Sequence, residues 1–398
     1  MHDARPKTPT AALPFTSRKP VLITGGCGFI GTNLAHRLLS AGQAVIVFDN
    51  LSRPGVERNL AWLQELHPRL LTVHRADVRD GAAVLAAVEQ AGRVFHLAAQ
   101  VAVTTSLTHA IDDFEINARG TLNLLEAVRA QPEPPSLVFT STNKVYGGLN
   151  DVTIRRQGSR YEPQAQSIRE HGIGENRPLD FHSPYGCSKG AADQYVLDYA
   201  RTFDLPMCVF RMSCIYGPHQ CGTEDQGWIA HFLIQALQGR PVTLYGDGMQ
   251  VRDILFVDDL VEALLLAQAN MHATRGEAFN IGGGPANTIS LLDLLDLIER
   301  LHGTRPDVRC DAWRPGDQRF YVSDPSKMRR VTGWTPRVSA QDGVERLYQW
   351  LRDNVQTKPE TATAVPVAEV KTPRAWSQTT RPAERRQTVS ATPRKERI

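Results

Sequence analysis

A short apolar run, closely spaced glycines and a helix-forming segment follow one another near the start of the chain. Residues 20–24 have the composition of a buried strand, and residues 32–40 have helical spacing. In such a unit the first glycine permits a tight turn, the second lets a backbone approach a pyrophosphate, and the third lets helix pack on strand. The unpaired N–H groups at the helix start attract phosphate. The stretch therefore predicts a dinucleotide-binding unit. We expect five of its residues to contact the dinucleotide: Gly25, Gly28, Phe29, Ile30 and Gly31.

A carboxylate stands at the end of the next predicted strand. Residues 44–48 are apolar and β-branched, and Asp49 follows them. A carboxylate about 20 residues beyond the glycines accepts a hydrogen bond from the ribose 2′-hydroxyl and repels a 2′-phosphate. The sequence therefore predicts NAD rather than NADP, with Asn50 beside the same ribose. The alternative is that Asp49-Asn50 marks only a turn.

Apolar runs alternate with helical segments through the first half of the chain. Residues 70–74, 93–97 and 135–140 are predicted strands, and residues 111–129 form a long predicted helix. This alternation predicts an α/β fold with a Rossmann-type, doubly wound parallel sheet and a smaller C-terminal lobe. Ligands of such sheets bind beyond the carboxyl ends of the strands. We therefore expect the cofactor to be lined by Asp77, Val78, Leu97, Ala98, Ala99 and Thr140.

Tyr185 and Lys189 are four residues apart in the chain. Pro184 suits the first turn of a helix, where its missing N–H costs nothing. Both side chains then lie on one helical face, one turn apart. A neighbouring ammonium favours the phenolate, so Tyr185 is suited to take a hydroxyl proton near neutral pH, the general-base step of alcohol oxidation. The alternative is an ordinary helix that carries both residues.

These features together resemble the extended short-chain dehydrogenase/reductase family, in its nucleotide-sugar epimerase and dehydratase group. The resemblance rests on the glycine spacing, the carboxylate after the second strand, the strand end at Thr142 and Tyr185-x-x-x-Lys189, and it runs from about residue 20 to 355. It implies bound NAD and a nucleotide-sugar substrate. It further implies that Thr142 hydrogen-bonds the reacting oxygen, that Tyr185 is the base and that Lys189 orients the nicotinamide ribose. Asn117 matches the family's asparagine on the long helix and is expected at the cofactor.

Part of the chain is similar to a subgroup of this family, the 2-epimerases of CDP-linked deoxysugars. The four similar segments are residues 141–144, 179–194, 224–228 and 314–318. Most of the family has Asn in Arg-x-x-Asn-x-Tyr-Gly-Pro, where it touches the nucleotide sugar, and this chain has Cys214 there. A thiol cannot replace the two amide donors, so neighbouring glutamines are expected to compensate. The resemblance implies substrate contacts from Asn143, Lys144, Cys214, Gln220, Gln226, Arg252 and Arg314.

The implied reaction is the NAD-dependent epimerisation of CDP-paratose to CDP-tyvelose at C2, by transient oxidation to a keto sugar and hydride return. A 4-epimerase of a UDP-, GDP- or dTDP-sugar would use the same cofactor residues. A 4,6-dehydratase or decarboxylase is disfavoured, because these enzymes carry an acid after the catalytic Thr, where this chain has Asn143-Lys144. A non-catalytic NAD-binding sensor or scaffold is a fourth alternative, but it would not need Thr142, Tyr185 and Lys189 together.

Composition limits the partners and the compartment. The chain has 398 residues, 41% hydrophobic and 22% charged, as in a soluble protein. The net charge of the chain is +3. Residues 356–398 contain nine Lys and Arg and four Glu, a net charge of +5, so the remaining residues carry about −2. We therefore predict no nucleic-acid partner. The six cysteines show no disulfide or metal-ligand spacing, and no apolar run is long enough for a signal peptide or membrane helix. We predict a cytoplasmic protein without a metal.

The same features suggest how the chain is divided. Residues 148–182 are a polar insertion that is expected to be a long loop. The family resemblance implies a homo-oligomer, a dimer or tetramer, that associates through the helices at 111–129 and 185–203. We predict a disordered leader at 1–18, an NAD-binding domain at 19–212 to which 251–284 return, a nucleotide-sugar-binding lobe at 213–355 and a disordered basic tail at 356–398.

Overall fold

Seven parallel strands form the centre of the computed structural model, which describes Leu13, residues 17–314 and residues 316–354. Most of the predicted leader and the whole predicted basic tail lie outside the described residues. The strands are β1 (Val21–Thr24), β2 (Val45–Asp49), β3 (Leu71–Arg75), β4 (Arg93–His96), β5 (Ser136–Thr142), β8 (Met207–Met212) and β12 (Ala278–Ile281).

The order of the strands creates a crevice at one edge of the sheet. The order is β12-β8-β5-β4-β1-β2-β3, and every neighbouring pair is parallel. Strands β2 and β3 follow β1 on one side, whereas β4 lies on its other side. A crevice therefore opens at the carboxyl ends of β1 and β4, where ligands of doubly wound sheets bind. The predicted fold class is confirmed.

Helices cover both faces of the sheet, which explains why its strands are almost continuously apolar. One face is covered by α1 (Phe29–Ser40), α2 (Val56–Leu66), α10 (Val257–Ala269), α11 (Met271–Thr274) and α13 (Ser326–Thr332). The other face is covered by α3 (Gly81–Val88), α6 (Gly120–Arg129) and α8 (Ser183–Thr202), with α4 (Val103–Thr108) and α5 (Ala110–Phe114) packed against α8. Across the described ranges, no helix has the length and apolar character needed to cross a membrane.

The long helix predicted at 111–129 is interrupted. A π-helical turn at Glu115–Arg119 separates α5 from α6 and contains Asn117. Such turns inside helices are frequent at functional sites. The interruption changes the face on which the residues after Phe114 point, so the helical periodicity of the sequence could not give their direction.

A second group of elements lies beyond the carboxyl edge of the sheet. Its strands are β9 (Cys214–Tyr216), β10 (Val242–Tyr245), β11 (Val251–Phe256), β13 (Thr288–Ser290), β14 (Val308–Asp311) and β15 (Phe320–Tyr321). Its helices are α9 (Trp228–Leu237), α12 (Leu291–His302) and α14 (Ala340–Asn354), which share one apolar core with these strands. Between β11 and β13 the chain crosses back to the seven-stranded sheet through α10 and β12.

The insertion at 148–182 corrects our expectation of a loop. It contains a hairpin of β6 (Ile154–Gln157) and β7 (Arg160–Pro163), followed by α7 (Gln166–His171). Gly158, with φ of +59°, makes the turn, and Arg155 pairs with Glu162 across the strands at 2.6 Å. The Tyr161 hydroxyl donates to Asp247 at 2.6 Å and ties the hairpin to the second group of elements. The segment is polar on its outer side, whereas Ile154 and Ile168 pack against the buried Val251, Phe320 and Val322.

Candidate active site

A cleft of about 630 Å³ lies between the carboxyl edge of the sheet and the second group of elements. It brings together every residue predicted to act on cofactor or substrate except Asn117. The residues predicted to bind the cofactor come from the ends of the sheet strands and from the start of α1. The predicted substrate residues come from the segments after β5 and β8, from β11 and from Arg314. The two predicted sets therefore face one cavity.

The glycine turn is shaped for a close backbone approach. Gly25 has φ of +69°, which favours glycine, and a Cβ on Gly31 would lie only 2.3 Å from the Gly25 carbonyl oxygen. Helix α1 follows without a side-chain cap, so its first N–H groups remain available to a ligand. This cradle fits a dinucleotide diphosphate.

The carboxylate after β2 is held in a fixed orientation. Asp49 accepts hydrogen bonds from the backbone N–H groups of Cys27 at 3.0 Å and Leu51 at 2.9 Å. Asn50 donates to Asp77 at 2.8 Å, so these two predicted cofactor residues support each other. Hydrogen bonds from Arg79 lower the pKa of Asp77 to about 2, which keeps that carboxylate ionised. The arrangement suits recognition of a ribose by Asp49, whose carboxylate repels a 2′-phosphate.

Helix α8 begins at Ser183 with Pro184 in its first turn and buries Tyr185 and Lys189. The Lys189 ammonium donates to the Thr140 carbonyl oxygen at 2.7 Å and lies 4.2 Å from the centre of the Phe139 ring. Burial lowers the pKa of Lys189 to about 7. The lysine is therefore fixed against the end of β5 rather than against the phenol.

Burial is the main influence on the pKa of the Tyr185 phenol. It raises the pKa of Tyr185 to about 12, while a hydrogen bond with Thr142 acts in the opposite direction. This differs from the expectation that the lysine next to it makes the phenol acidic, because removing a phenol from water disfavours the phenolate. Thr142 is the last residue of β5, and its hydroxyl also accepts a hydrogen bond from the Lys144 N–H at 3.2 Å.

Asn117 is buried and is not among the residues that line the cleft, so its contact with the cofactor stays a prediction. Its amide accepts from the Gln100 N–H at 2.9 Å and donates to Gln100 O at 3.0 Å and to Ser188 at 3.1 Å. The buried Asp113 accepts hydrogen bonds from Gln100, Asn117 and Ser188. Asn117 therefore joins the loop after β4 to α8. Our sequence reasoning missed Gln100, Asp113 and Ser188, although the four-residue spacing of Asp113 and Asn117 was a usable signal.

A buried histidine lies below the glycine turn. His96, at the end of β4, has Nδ1 2.6 Å from the Thr24 hydroxyl and Nε2 3.0 Å from the Thr121 hydroxyl. The ring is fully buried, and this burial lowers the pKa of His96 to about 3. The folded protein therefore keeps the ring neutral.

Acid is expected to destabilise the fold through His96. The unfolded chain binds a proton there below its ordinary pKa of 6.5, whereas the folded chain binds one only near pH 3, so stability falls as the pH decreases between these values. Urea unfolding should give a smaller free energy of unfolding at pH 5 than at pH 7. In His96→Gln this difference should be about 2 kcal/mol smaller. His109→Gln, at an exposed histidine, is the control. An equal pH dependence in His96→Gln and the natural chain would contradict this role.

Three cations and two aromatic rings mark the part of the cleft away from the glycine turn. Arg252 pairs with Asp317 at 2.7 Å, and Lys144 donates to the Gly316 carbonyl oxygen at 3.2 Å. The Arg314 guanidinium lies 3.7 Å from the centre of the Tyr245 ring. Our sequence reasoning missed Tyr245 and Trp228, which also line this part of the cleft. The set suits an anionic nucleotide with a flat base.

The thiol and the glutamines lie in the same region. Cys214, where most of the family has Asn, is partly buried and lines the cleft, and burial raises the pKa of its thiol. Gln220 donates to the Ile215 carbonyl oxygen at 3.3 Å, and its own side-chain oxygen is buried without a partner among the described residues. Gln226 lines the cleft as well. Gln220 therefore lines the cleft and has a buried side-chain oxygen that no described residue satisfies.

Comparison with known proteins agrees with this geometry. Residues 21–282 match the family model described as the NAD dependent epimerase/dehydratase family. The chain is 46% identical to a CDP-paratose 2-epimerase from Salmonella typhi, over 83% of this chain and 98% of that protein.

Solved structures of epimerases have the same fold. A UDP-glucose 4-epimerase from Thermus thermophilus, in complex with NAD, superposes with a TM-score of 0.70 at 33% identity and covers 84% of this chain and 100% of its own. A UDP-glucose 4-epimerase from Thermotoga maritima with UDP-glucose gives a TM-score of 0.72 at 30% identity, over 85% of this chain and 100% of its own. NAD is therefore the cofactor, and the chain belongs to the NAD dependent epimerase/dehydratase family.

Proposed function

We propose that this NAD-dependent nucleotide-sugar epimerase converts CDP-paratose to CDP-tyvelose by inverting C2. The observation that carries the proposal is the similarity to the Salmonella typhi 2-epimerase over nearly the whole of that enzyme. The active-site end of the cleft agrees, since Asn143 and Lys144 follow Thr142 where a 4,6-dehydratase would have acids. A UDP-sugar 4-epimerase is the second candidate, supported by the two structural neighbours.

We assign the catalytic roles to three residues of the cleft. Bound NAD supplies a reversible hydride acceptor for the sugar carbon. Tyr185, whose phenolate form a bound oxidised nicotinamide would favour, takes the proton of the 2-hydroxyl as the sugar becomes a ketone, and returns it after the ketone has presented its other face. Thr142 hydrogen-bonds the same oxygen in both states, and Lys189 holds the nicotinamide ribose. The sugar is neither oxidised nor reduced overall, so the cofactor does not have to leave between turnovers.

The remaining predicted residues divide between cofactor and substrate. We propose that the glycine turn, α1 and Asp49 hold NAD, in a domain of residues 19–212 to which α10 and β12 return. Residues 213–355 supply most of the nucleotide-sugar site, in which Arg252 and Arg314 bind the diphosphate, because each guanidinium can contact two oxygens. Lys144 and Asn143 then lie beside the sugar.

We also propose a homodimer in the cytoplasm. Helices α4, α5 and α8 expose large apolar side chains next to one another, and Ile111 is 79% exposed and Phe114 53% exposed. Such a patch is typical of a protein–protein interface. All six cysteines are free, as expected in a reducing compartment.

The substrate proposal is tested by an NMR time course in deuterated water with CDP-paratose and no added NAD. We expect CDP-tyvelose to form without deuterium at C2, because the hydrogen that leaves the carbon returns to it. UDP-glucose, in a parallel reaction, tests the 4-epimerase. No conversion of CDP-paratose even with added NAD would reject this substrate, and deuterium at C2 would reject the direct return of the hydrogen.

A further inference from the structure

The backbone N–H of Tyr185 has its hydrogen-bond partner on another helix. The first N–H groups of a helix have no acceptor within that helix. In the first turn of α8, Pro184 has no N–H, and the hydroxyl of Ser183 accepts from the N–H of Gly186 at 3.2 Å. Between these two residues, the N–H of Tyr185 donates to the hydroxyl of Ser106 on α4 at 3.1 Å. The backbone of the proposed base is therefore tied to a neighbouring helix.

The hydroxyl of Ser106 is oriented for this contact. Ser106 is fully buried and donates its only hydroxyl proton to the Val103 carbonyl oxygen at 2.7 Å, which leaves its oxygen to accept from Tyr185. Ser106 is not among the described residues that line the cleft, but Val103, Thr104 and Thr105 of the same helix are. One buried oxygen thus fixes the distance between a wall of the cleft and the backbone of Tyr185.

A second contact between the same segments lies one turn further along α8. Ser188, which precedes Lys189, donates to the buried carboxylate of Asp113. Asp113 also accepts from the side-chain amide of Gln100 at 2.9 Å, and Gln100 lines the cleft. The two points of contact are three residues apart and therefore lie on one face of α8. Together they fix both the position and the rotation of the helical turn that carries the phenol and the ammonium.

We propose that Ser106 is a positioning residue, whose hydroxyl keeps the Tyr185 phenol where it can exchange a proton with the bound sugar. A general base has to lie within about 2.6–3.2 Å of the atom whose proton it takes, and a displacement of about 1 Å costs about a hundredfold in rate. In this role Ser106 touches neither sugar nor cofactor and acts only through Tyr185. The inference rests on the proposed role of Tyr185 as the base and does not depend on which nucleotide sugar is the substrate.

The first test compares two serine-to-alanine variants in the presence of NAD. Ser106→Ala is expected to lower kcat by about tenfold to a hundredfold and to leave KM and bound NAD close to those of the natural chain, because the side chains of the cleft are unchanged. Ser106→Thr, which keeps the hydroxyl, should recover most of the rate. Rates are measured with CDP-paratose, or with UDP-glucose if the natural chain converts only that sugar.

The matched control is Ser290→Ala. Ser290 is also fully buried, and its hydroxyl accepts from the Asp293 N–H of α12 at 3.0 Å, outside the cleft. This variant should lose thermal stability to a similar extent as Ser106→Ala and keep the kcat of the natural chain. A natural kcat in Ser106→Ala, or an equal loss of kcat in both variants, would overturn the proposal. Ser106→Cys, which keeps the size and weakens the acceptor, replaces Ser106→Ala if circular dichroism shows that the alanine variant is not folded.

A double-mutant cycle with Tyr185→Phe separates positioning from a general structural effect. Once the phenolic hydroxyl is gone its position has no influence on the rate, so Ser106→Ala should lower kcat by less than about twofold in the Tyr185→Phe background. The same loss in both backgrounds would contradict the proposal. An unchanged kcat in Tyr185→Phe alone would reject Tyr185 as the base and with it both the proposed mechanism and this inference.

Hydrogen exchange at the Tyr185 amide tests the contact without any substrate. A buried, hydrogen-bonded N–H exchanges only after its contact opens, so in the NAD-bound protein this amide should exchange at least about tenfold faster in Ser106→Ala than in Ser290→Ala. Equal exchange rates in the two variants would show that Ser106 does not hold the backbone of Tyr185. This result would overturn the inference and leave the proposed role of the Tyr185 phenol untouched.

Discussion

Replacing Tyr185 by Phe is expected to lower kcat by about a hundredfold to ten-thousandfold, the usual contribution of a general base. The ring remains in its buried place next to Thr142, but the hydroxyl that receives and returns the substrate proton is gone. Nucleotide affinity should change little, since the cations of the substrate site are untouched. Initial rates over a range of substrate concentrations separate kcat from KM.

The control for this prediction lies on the same helix. Tyr195 is 45% exposed, outside the cleft, and Tyr195→Phe should keep its kcat. If Tyr185→Phe keeps a kcat within a few-fold of Tyr195→Phe, the phenol is not the base. A fall in NAD content together with kcat in Tyr185→Phe would instead indicate a damaged cofactor site, so bound NAD is measured in both variants.

The largest effect on stability is expected from Asp193→Ala. Asp193 on α8 is fully buried and accepts two hydrogen bonds from Arg211 on β8, both at 2.9 Å. Arg211 also donates to the Tyr146 hydroxyl at 3.1 Å. Removing the carboxylate leaves a buried guanidinium without its counter-ion, which costs about 3–5 kcal/mol. Urea unfolding measures this loss in free energy.

An exposed ion pair on the same helix is the matched control. Asp198 and Arg201 are 2.9 Å apart with both side chains largely in solvent. Asp198→Ala should cost less than about 1 kcal/mol, because an exposed pair gains little over hydration. Equal losses in the two variants would mean that burial of the Asp193–Arg211 pair has no consequence for stability. Double replacement of Asp193 and Arg211 by apolar residues should recover much of the loss, since no charge then remains unpaired.

Sequence reasoning succeeded where a short segment determines its own geometry. The tight turn at Gly25, the close contact at Gly31 and the four-residue spacing of Tyr185 and Lys189 need only local backbone rules. Because the strands are parallel, the segments that follow them all lie at the same edge of the sheet. For this reason the fold class and the cofactor side of the cleft could be predicted together, whereas the substrate side came from the family resemblance.

Features that depend on distant segments could not be predicted. The partner of Lys189 is a carbonyl of β5, 49 positions earlier in the chain. Asn117 lies in a π-helical turn, which no apolar periodicity reveals. The hairpin in the 148–182 insertion is held by Asp247 and by packing of Ile154 against β11 and β15, which are distant in the chain, so its polar composition suggested a loop. The contacts that fix Lys189 and the hairpin join segments that are far apart in the chain.

The return of β12 to the seven-stranded sheet has a consequence for synthesis on the ribosome. Strand β8 lies between β5 and β12, and its residues are buried almost completely. A nascent chain that has not yet released Ala278–Ile281 from the exit tunnel must expose the N–H and carbonyl groups of β8 along one side. An open strand edge readily pairs with another chain. The sheet therefore cannot be completed until more than two thirds of the chain has been translated, and truncated products that end before β12 are expected to aggregate.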